Sequence, residues 1–128
     1  QSLKYIGYGG KGKQVRDLLH VDDLVELIDY QIHNIEKFTG KVYNVGGGLK
    51  NSASLQEMTD ICQKISGNKI QIDEVPETRT ADLRIYVTDN SKIETEIGWR
   101  PKKSVETIFK DIYLWIKENE KQLESILK

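Results

Sequence analysis

A chain of 128 residues, 38% hydrophobic and 30% charged, suits one globular domain, and no apolar run in it approaches the length that spans a bilayer. Its net charge of -1 excludes a general attraction to nucleic acid, so any anionic ligand has to be held by a local cluster of cations. The single cysteine, Cys62, excludes an internal disulfide and a multi-cysteine zinc site.

Leu3 to Ile6 alternate as a short strand does, and Gly7, Gly9, Gly10 and Gly12 then allow a turn through conformations that side-chained residues avoid. The first twenty residues hold no signal-peptide h-region, which sets the expectation of a cytoplasmic protein. A start at Gln1, with Met58 the sole methionine, sets the expectation of a piece of something longer. A second strand is expected through Gln14 to Leu19, with Val15 and Asp17 on one face and Gln14, Arg16 and Leu18 on the other. Asp22 or Asp23 is placed to cap a helix, and Glu26 would complete a capping box with Asp23. Val21, Leu24, Val25, Ile28, Ile32 and Ile35 recur at helical spacing as its expected buried stripe. Gly7, Gly9 and Gly12 formally match G-x-G-x-x-G, but no helical period begins before Val21, so they read as a plain turn and not a dinucleotide loop.

Phe38-Thr39-Gly40 ends that helix, and Lys41 to Val45 reads as a strand. Gly46, Gly47 and Gly48 follow, either as a turn or as backbone N–H groups offered to an anion. Ser54 caps the next helix with Glu57 in the capping-box place, and Ser66-Gly67 closes it. Leu55, Met58, Ile61, Cys62 and Ile65 form its stripe, so Cys62 is expected to be a buried small hydrophobe. Ile70, Ile72 and Val75 suggest a strand that Pro76 stops. Residues 76 to 84, PETRTADLR, are polar and without period, and they read as a functional loop. Ile85 to Thr88 are strand-like, and Asp89-Asn90-Ser91 offers caps for a short helix carrying Ile93 and Ile97, closed by Gly98. Ser104 caps a long last helix with Val105, Ile108, Phe109, Ile112, Trp115 and Ile116 inward. Residues 119 to 128, with Leu123, Ile126 and Leu127, are expected to fray.

Two tempting patterns in the chain carry no chemistry on this reading. Tyr113 and Lys117 have the Tyr-x-x-x-Lys spacing of nicotinamide-dependent oxidoreductases, but no serine or threonine partner is evident and Tyr113 adjoins the Ile112 and Ile116 stripe. His20 and His33 lack metal-ligand spacing, so no metal site is expected. The arginines are more informative. Fifteen lysines stand against four arginines, Arg16, Arg79, Arg84 and Arg100, and the guanidinium fork binds phosphate or carboxylate through two parallel hydrogen bonds. They are the candidates for chemistry, the alternative for each being a loop pinned to a carboxylate.

GKQVRDLLHVDDL, VYNVGGG, RTADLRIYVTDNSKI and GWRP, in this order, resemble the C-terminal part of the extended short-chain dehydrogenase/reductases that act on nucleotide-diphosphate sugars, over about residues 3 to 118. The resemblance implies an α/β fold, the substrate-binding portion of a member of the NAD(P)-binding Rossmann-like superfamily that lacks the N-terminal Rossmann domain. It implies that residues 1 to 128 hold the nucleotide-diphosphate sugar, with Arg16 of the R-D-x-x-H-V motif on the diphosphate. Arg79 and Asp82 match an R-x-x-D pair, arginine toward the diphosphate and aspartate toward the ribose hydroxyls. Charge argues the same way, since two guanidinium groups from separate loops can converge on a pyrophosphate while a carboxylate accepts from a diol. Arg84 is free to assist, or to pair with Asp82 or Asp89.

Within that family GYGGKGKQVRD followed by YNVGGG is most like members acting on CDP-sugars. NAD, with the catalytic tyrosine and lysine, belongs to the missing N-terminal part, so no catalytic or cofactor-binding residue is expected here and the chain alone is expected to be inactive. The parent would be an isomerase that removes a hydride from a sugar carbon and returns it to the opposite face. A fragment of this kind should leave apolar surface uncovered, which sets the expectation of self-association as a homo-oligomer.

Overall fold

The computed structural model describes residues 2 to 126. In chain order its elements are β1 (Leu3–Ile6), β2 (Val15–Asp17), α1 (Val21–His33), α2 (Ile35–Phe38), β3 (Ser52–Ser54) and α3 (Leu55–Ser66). Then come β4 (Ile72–Val75), β5 (Ile85–Tyr86), α4 (Ser91–Ile97), α5 (Val105–Glu118) and α6 (Glu120–Leu123). β1 pairs in parallel with β4, Leu3 opposite Ile72 and Ile6 opposite Val75. In a second sheet β2 lies between antiparallel β3 and parallel β5, which puts Arg16 beside Ala53 on one side and Tyr86 on the other.

Local signals place most of these elements. The β1–β2 turn runs through left-handed glycines, and at Gly10 (φ 68°) a Cβ would also lie 2.8 Å from the Val75 nitrogen. The Ser54 hydroxyl accepts from the Glu57 N–H at 3.2 Å and Glu57 Oε2 accepts from the Ser54 N–H at 2.7 Å, closing the expected capping box of α3. Gly67 and Gly98 are the left-handed ends of α3 and α4, and Ser104 caps α5. The buried apolar side chains are Leu27, Phe38, Ala53, Ile93 and Ile108. Phe38 holds Tyr30 and Tyr43 edge-on, each with ring centroids 5.9 Å away.

Several expectations need correction. The second strand is shorter than expected, Val15–Asp17, although the Leu18 N–H still donates to the Asn51 carbonyl in line with the β2–β3 register. Lys41 to Val45 forms no strand, as no neighbour pairs with it, and Val42 is 79% exposed. α1 is capped by neither aspartate: His20 Nδ1 accepts from the Asp22 N–H at 3.0 Å. Asp23 is instead buried, its Oδ2 accepting from the N–H groups of Lys102 and Lys103. The inward face of α1 therefore carries Asp23 and Leu27, while all six residues of the expected stripe are exposed. Ile112, Trp115 and Ile116 of α5 are likewise exposed, and so is Cys62. α6 occupies part of the stretch expected to fray, and Leu127 lies outside the described residues. No helix among the described residues is long and apolar enough to cross a membrane.

Candidate functional site

The glycine turn and the loop of residues 76 to 84 run side by side because β1 pairs with β4 and β2 with β5. Gly7 N–H donates to the Val75 carbonyl at 2.8 Å and Gly9 N–H to that of Pro76 at 3.3 Å. Between these glycines Tyr8 takes a left-handed conformation, φ 49°, which side-chained residues seldom adopt. It is held at both ends, its N–H on Thr78 Oγ1 at 2.9 Å and its hydroxyl donating to the Asp82 carbonyl at 2.5 Å. Sequence reasoning missed Tyr8; a bulky aromatic between two turn glycines was the available signal.

Arg16 and Asp82, 66 positions apart in sequence, meet here. Arg16 Nη2 donates to Asp82 Oδ1 at 3.3 Å, while Nη1 donates to the Val15 carbonyl at 2.7 Å. Arg79 stands on the same turn as Asp82, its carbonyl accepting from the Asp82 N–H at 3.1 Å and its side chain exposed. Arg84 pairs with neither aspartate in the way its open alternatives allowed; its guanidinium lies 6.0 Å from the centre of the Tyr8 ring. The fold thus brings Arg16 and Asp82 together, whereas the Arg79 side chain is exposed and forms no hydrogen bond or ion pair with either. The Arg16–Asp82 contact of 3.3 Å is a long one for a charged pair.

Three further basic residues lie at a separate cleft and are paired. A cleft of about 780 Å³, lined by Gly47, Asn51, Thr88, Arg100, Lys102 and Lys103 among others, includes none of Arg16, Arg79 and Asp82. There Arg100 pairs with Glu94, Lys102 with Glu26, and Lys103 with Asp22 and Asp111. The glycine triplet is a packing turn: Gly46 N–H donates to Asn90 Oδ1 and Gly48 N–H to Asp17 Oδ2. A Cβ on Gly47 would stand 2.0 Å from the Leu18 carbonyl oxygen. Gly7, Gly9 and Gly12 lead into β2, so no helix N-terminus stands behind them to receive a dinucleotide pyrophosphate, and this turn does not fit NAD. Lys117 reaches toward Glu120 at 3.8 Å. Among the described residues no three His, Cys, Asp or Glu side chains gather as a metal ion would need.

The chain matches the family model described as GDP-mannose 4,6 dehydratase over residues 2–112. It is 35% identical over 106 residues to CDP-paratose 2-epimerase of Salmonella typhi, covering 83% of this chain and 31% of that protein. The crystal structure of UDP-glucuronic acid 4-epimerase from Bacillus cereus, in complex with UDP-glucuronic acid and NAD, is similar with a TM-score of 0.73 and 25% identity, over 88% of this chain and 35% of that one. dTDP-glucose 4,6-dehydratase from Bacillus anthracis, in complex with NAD, gives 0.68 and 28%, over 90% and 35%. The chain spans about a third of the length of the proteins it matches.

Proposed function

This chain belongs to the GDP-mannose 4,6 dehydratase family and has the α/β fold of the C-terminal portion of the extended short-chain dehydrogenases, and from that premise we propose that it holds the nucleotide sugar of an NAD-dependent epimerase. The finer reading is 2-epimerisation of CDP-paratose to CDP-tyvelose in the cytoplasm, and the likeness to the Salmonella typhi enzyme supports it. NAD, held outside this chain with the catalytic tyrosine and lysine, supplies a hydride acceptor that later returns the hydride. This chain's own residues bind and orient. Arg16 and Arg79 take the diphosphate, and Asp82 accepts from the ribose hydroxyls. One observation carries the reading: Arg16 from β2 and Asp82 from a distant loop meet at 3.3 Å. A second reading, a UDP-sugar in place of a CDP-sugar, is favoured by the likeness to the enzyme crystallised with UDP-glucuronic acid.

Calorimetry of the chain with CDP, UDP, GDP and NAD tests both. The expected outcome is weak binding of a nucleoside diphosphate, CDP tightest, with no response to NAD. Arg79→Ala should weaken it by roughly tenfold or more, the usual cost of a lost bond to a charged group. Lys64→Ala, on the exposed side of α3, should leave it unchanged. Indifference to all four compounds would sink the proposal, whereas a preference for UDP would select the second reading.

A further inference from the structure

Gln14 is the most deeply buried polar side chain near the site, 4% exposed, and its amide is committed in an unusual way. Nε2 donates to the Ile6 carbonyl at 2.5 Å and to Asp82 Oδ2 at 3.2 Å. Both partners are acceptors, so the amide nitrogen has to face them, and Oε1 is left buried without a donor. An orphaned buried acceptor is unfavourable, so the two bonds made by the amide nitrogen are the reason for a glutamine at this place. The two oxygens of Asp82 are therefore held separately, Oδ1 by Arg16 and Oδ2 by Gln14. Arg16 is partly exposed, while Gln14 is fixed to the backbone of β1.

We infer that Gln14 is the positioning residue that keeps Asp82 in place when Arg16 exchanges the carboxylate for a diphosphate. The inference rests on the proposed reading of the site. In the ligand-free chain the Arg16–Asp82 pair neutralises both groups. When Arg16 turns to the phosphates, the Asp82 carboxylate loses one of its two side-chain holds and would be free to rotate on its backbone, itself held by Tyr8, unless the second remains. Gln14, just ahead of β2 and bonded to the β1 carbonyl of Ile6, supplies that second hold through Oδ2 and leaves Oδ1 available to accept from hydroxyls.

Titration of the whole chain by nuclear magnetic resonance, with CDP and separately with inorganic pyrophosphate, tests this through Gln14→Met. The substitution keeps the length of the side chain and exchanges one orphaned acceptor, Oε1, for another, the Ile6 carbonyl, so the urea midpoint should hardly move. CDP should bind roughly tenfold more weakly, the scale of one hydrogen bond to a charged group, while pyrophosphate binding stays as in the wild type. In an Asp82→Asn background Gln14→Met should cost CDP affinity nothing further, because the two act as a unit. Wild-type affinity for CDP in Gln14→Met, or equal loss of CDP and pyrophosphate, overturns the inference. A wild type that binds neither compound overturns the parent reading and this one with it. Should Gln14→Met not fold, the wild type decides: the Gln14 amide protons should stay protected from solvent exchange at saturating CDP, and their loss of protection rules the anchor out.

Discussion

Asp17 ties the second strand to the glycine triplet, and its ionisation is part of the tie. Burial pushes its carboxyl up, but hydrogen bonds from the Gly48 N–H, at 2.9 Å, and from Thr88 outweigh this and hold it below the ordinary carboxylate value of 3.8. A carboxylate lowered in the folded state stabilises above its unfolded pKa, and that contribution disappears as the pH falls through the folded value. Asp17→Asn should therefore lose about 1–3 kcal/mol in urea unfolding at neutral pH, and the gap to wild type should close as the pH falls below 3.8 through the lowered folded-state value. A gap that stays constant down the titration would show that packing, and not charge, is what Asp17 contributes. Glu57 is lowered by the Ser54 N–H and hydroxyl and adds to the same acid lability.

At the scale of the element, α1 shows how far periodicity reaches. The spacing of Val21, Leu24, Val25, Ile28, Ile32 and Ile35 finds a helix and an apolar stripe, yet it cannot say which face the neighbours cover. The face that packs is fixed by Asp23, whose carboxylate binds two backbone N–H groups at the start of the 102–104 segment, and by Leu27 one turn on, 1% exposed. Leu27→Ala should cost about 2–4 kcal/mol, as buried leucines do, and Ile28→Ala, at a 45% exposed position, about 0.5 kcal/mol or less. Urea midpoints in the reverse order would return the helix to the orientation its sequence suggests. What was legible had causes within a few residues: the Ser54 capping box, the glycine ends of α3 and α4, the turn after Ile6. Lys41 to Val45 was misread because a strand needs a partner that a local pattern does not contain. Guanidinium chemistry and motif single out Arg16, Arg79 and Asp82 as candidates, and of these the fold joins Arg16 to Asp82 through their side chains. The role of Gln14 was hidden, because it depends on a carbonyl and a carboxylate that only the fold brings to it.

The whole molecule is poorly enclosed. Its accessible surface is 9427 Å², against roughly 6,900 Å² for a compact monomer of this mass. Exposed apolar side chains include Val21, Val25 and Ile32 on α1, Ile112 and Trp115 on α5, and Val42 and Leu49 between α2 and β3. Surface of this kind is normally covered in a stable protein, so light scattering should give an average mass that climbs above the monomer as concentration rises. A monomer mass at every concentration would mean that these faces are tolerated in water.

The turn after β1 and the loop after β4 both cross from the first sheet to the second, laced together by Gly7, Tyr8 and Gly9. On the proposed reading, a nucleotide sugar held by Arg16 on one sheet and by the loop that joins the two would tie the sheets together. Ligand binding and resistance to local opening would then rise in step.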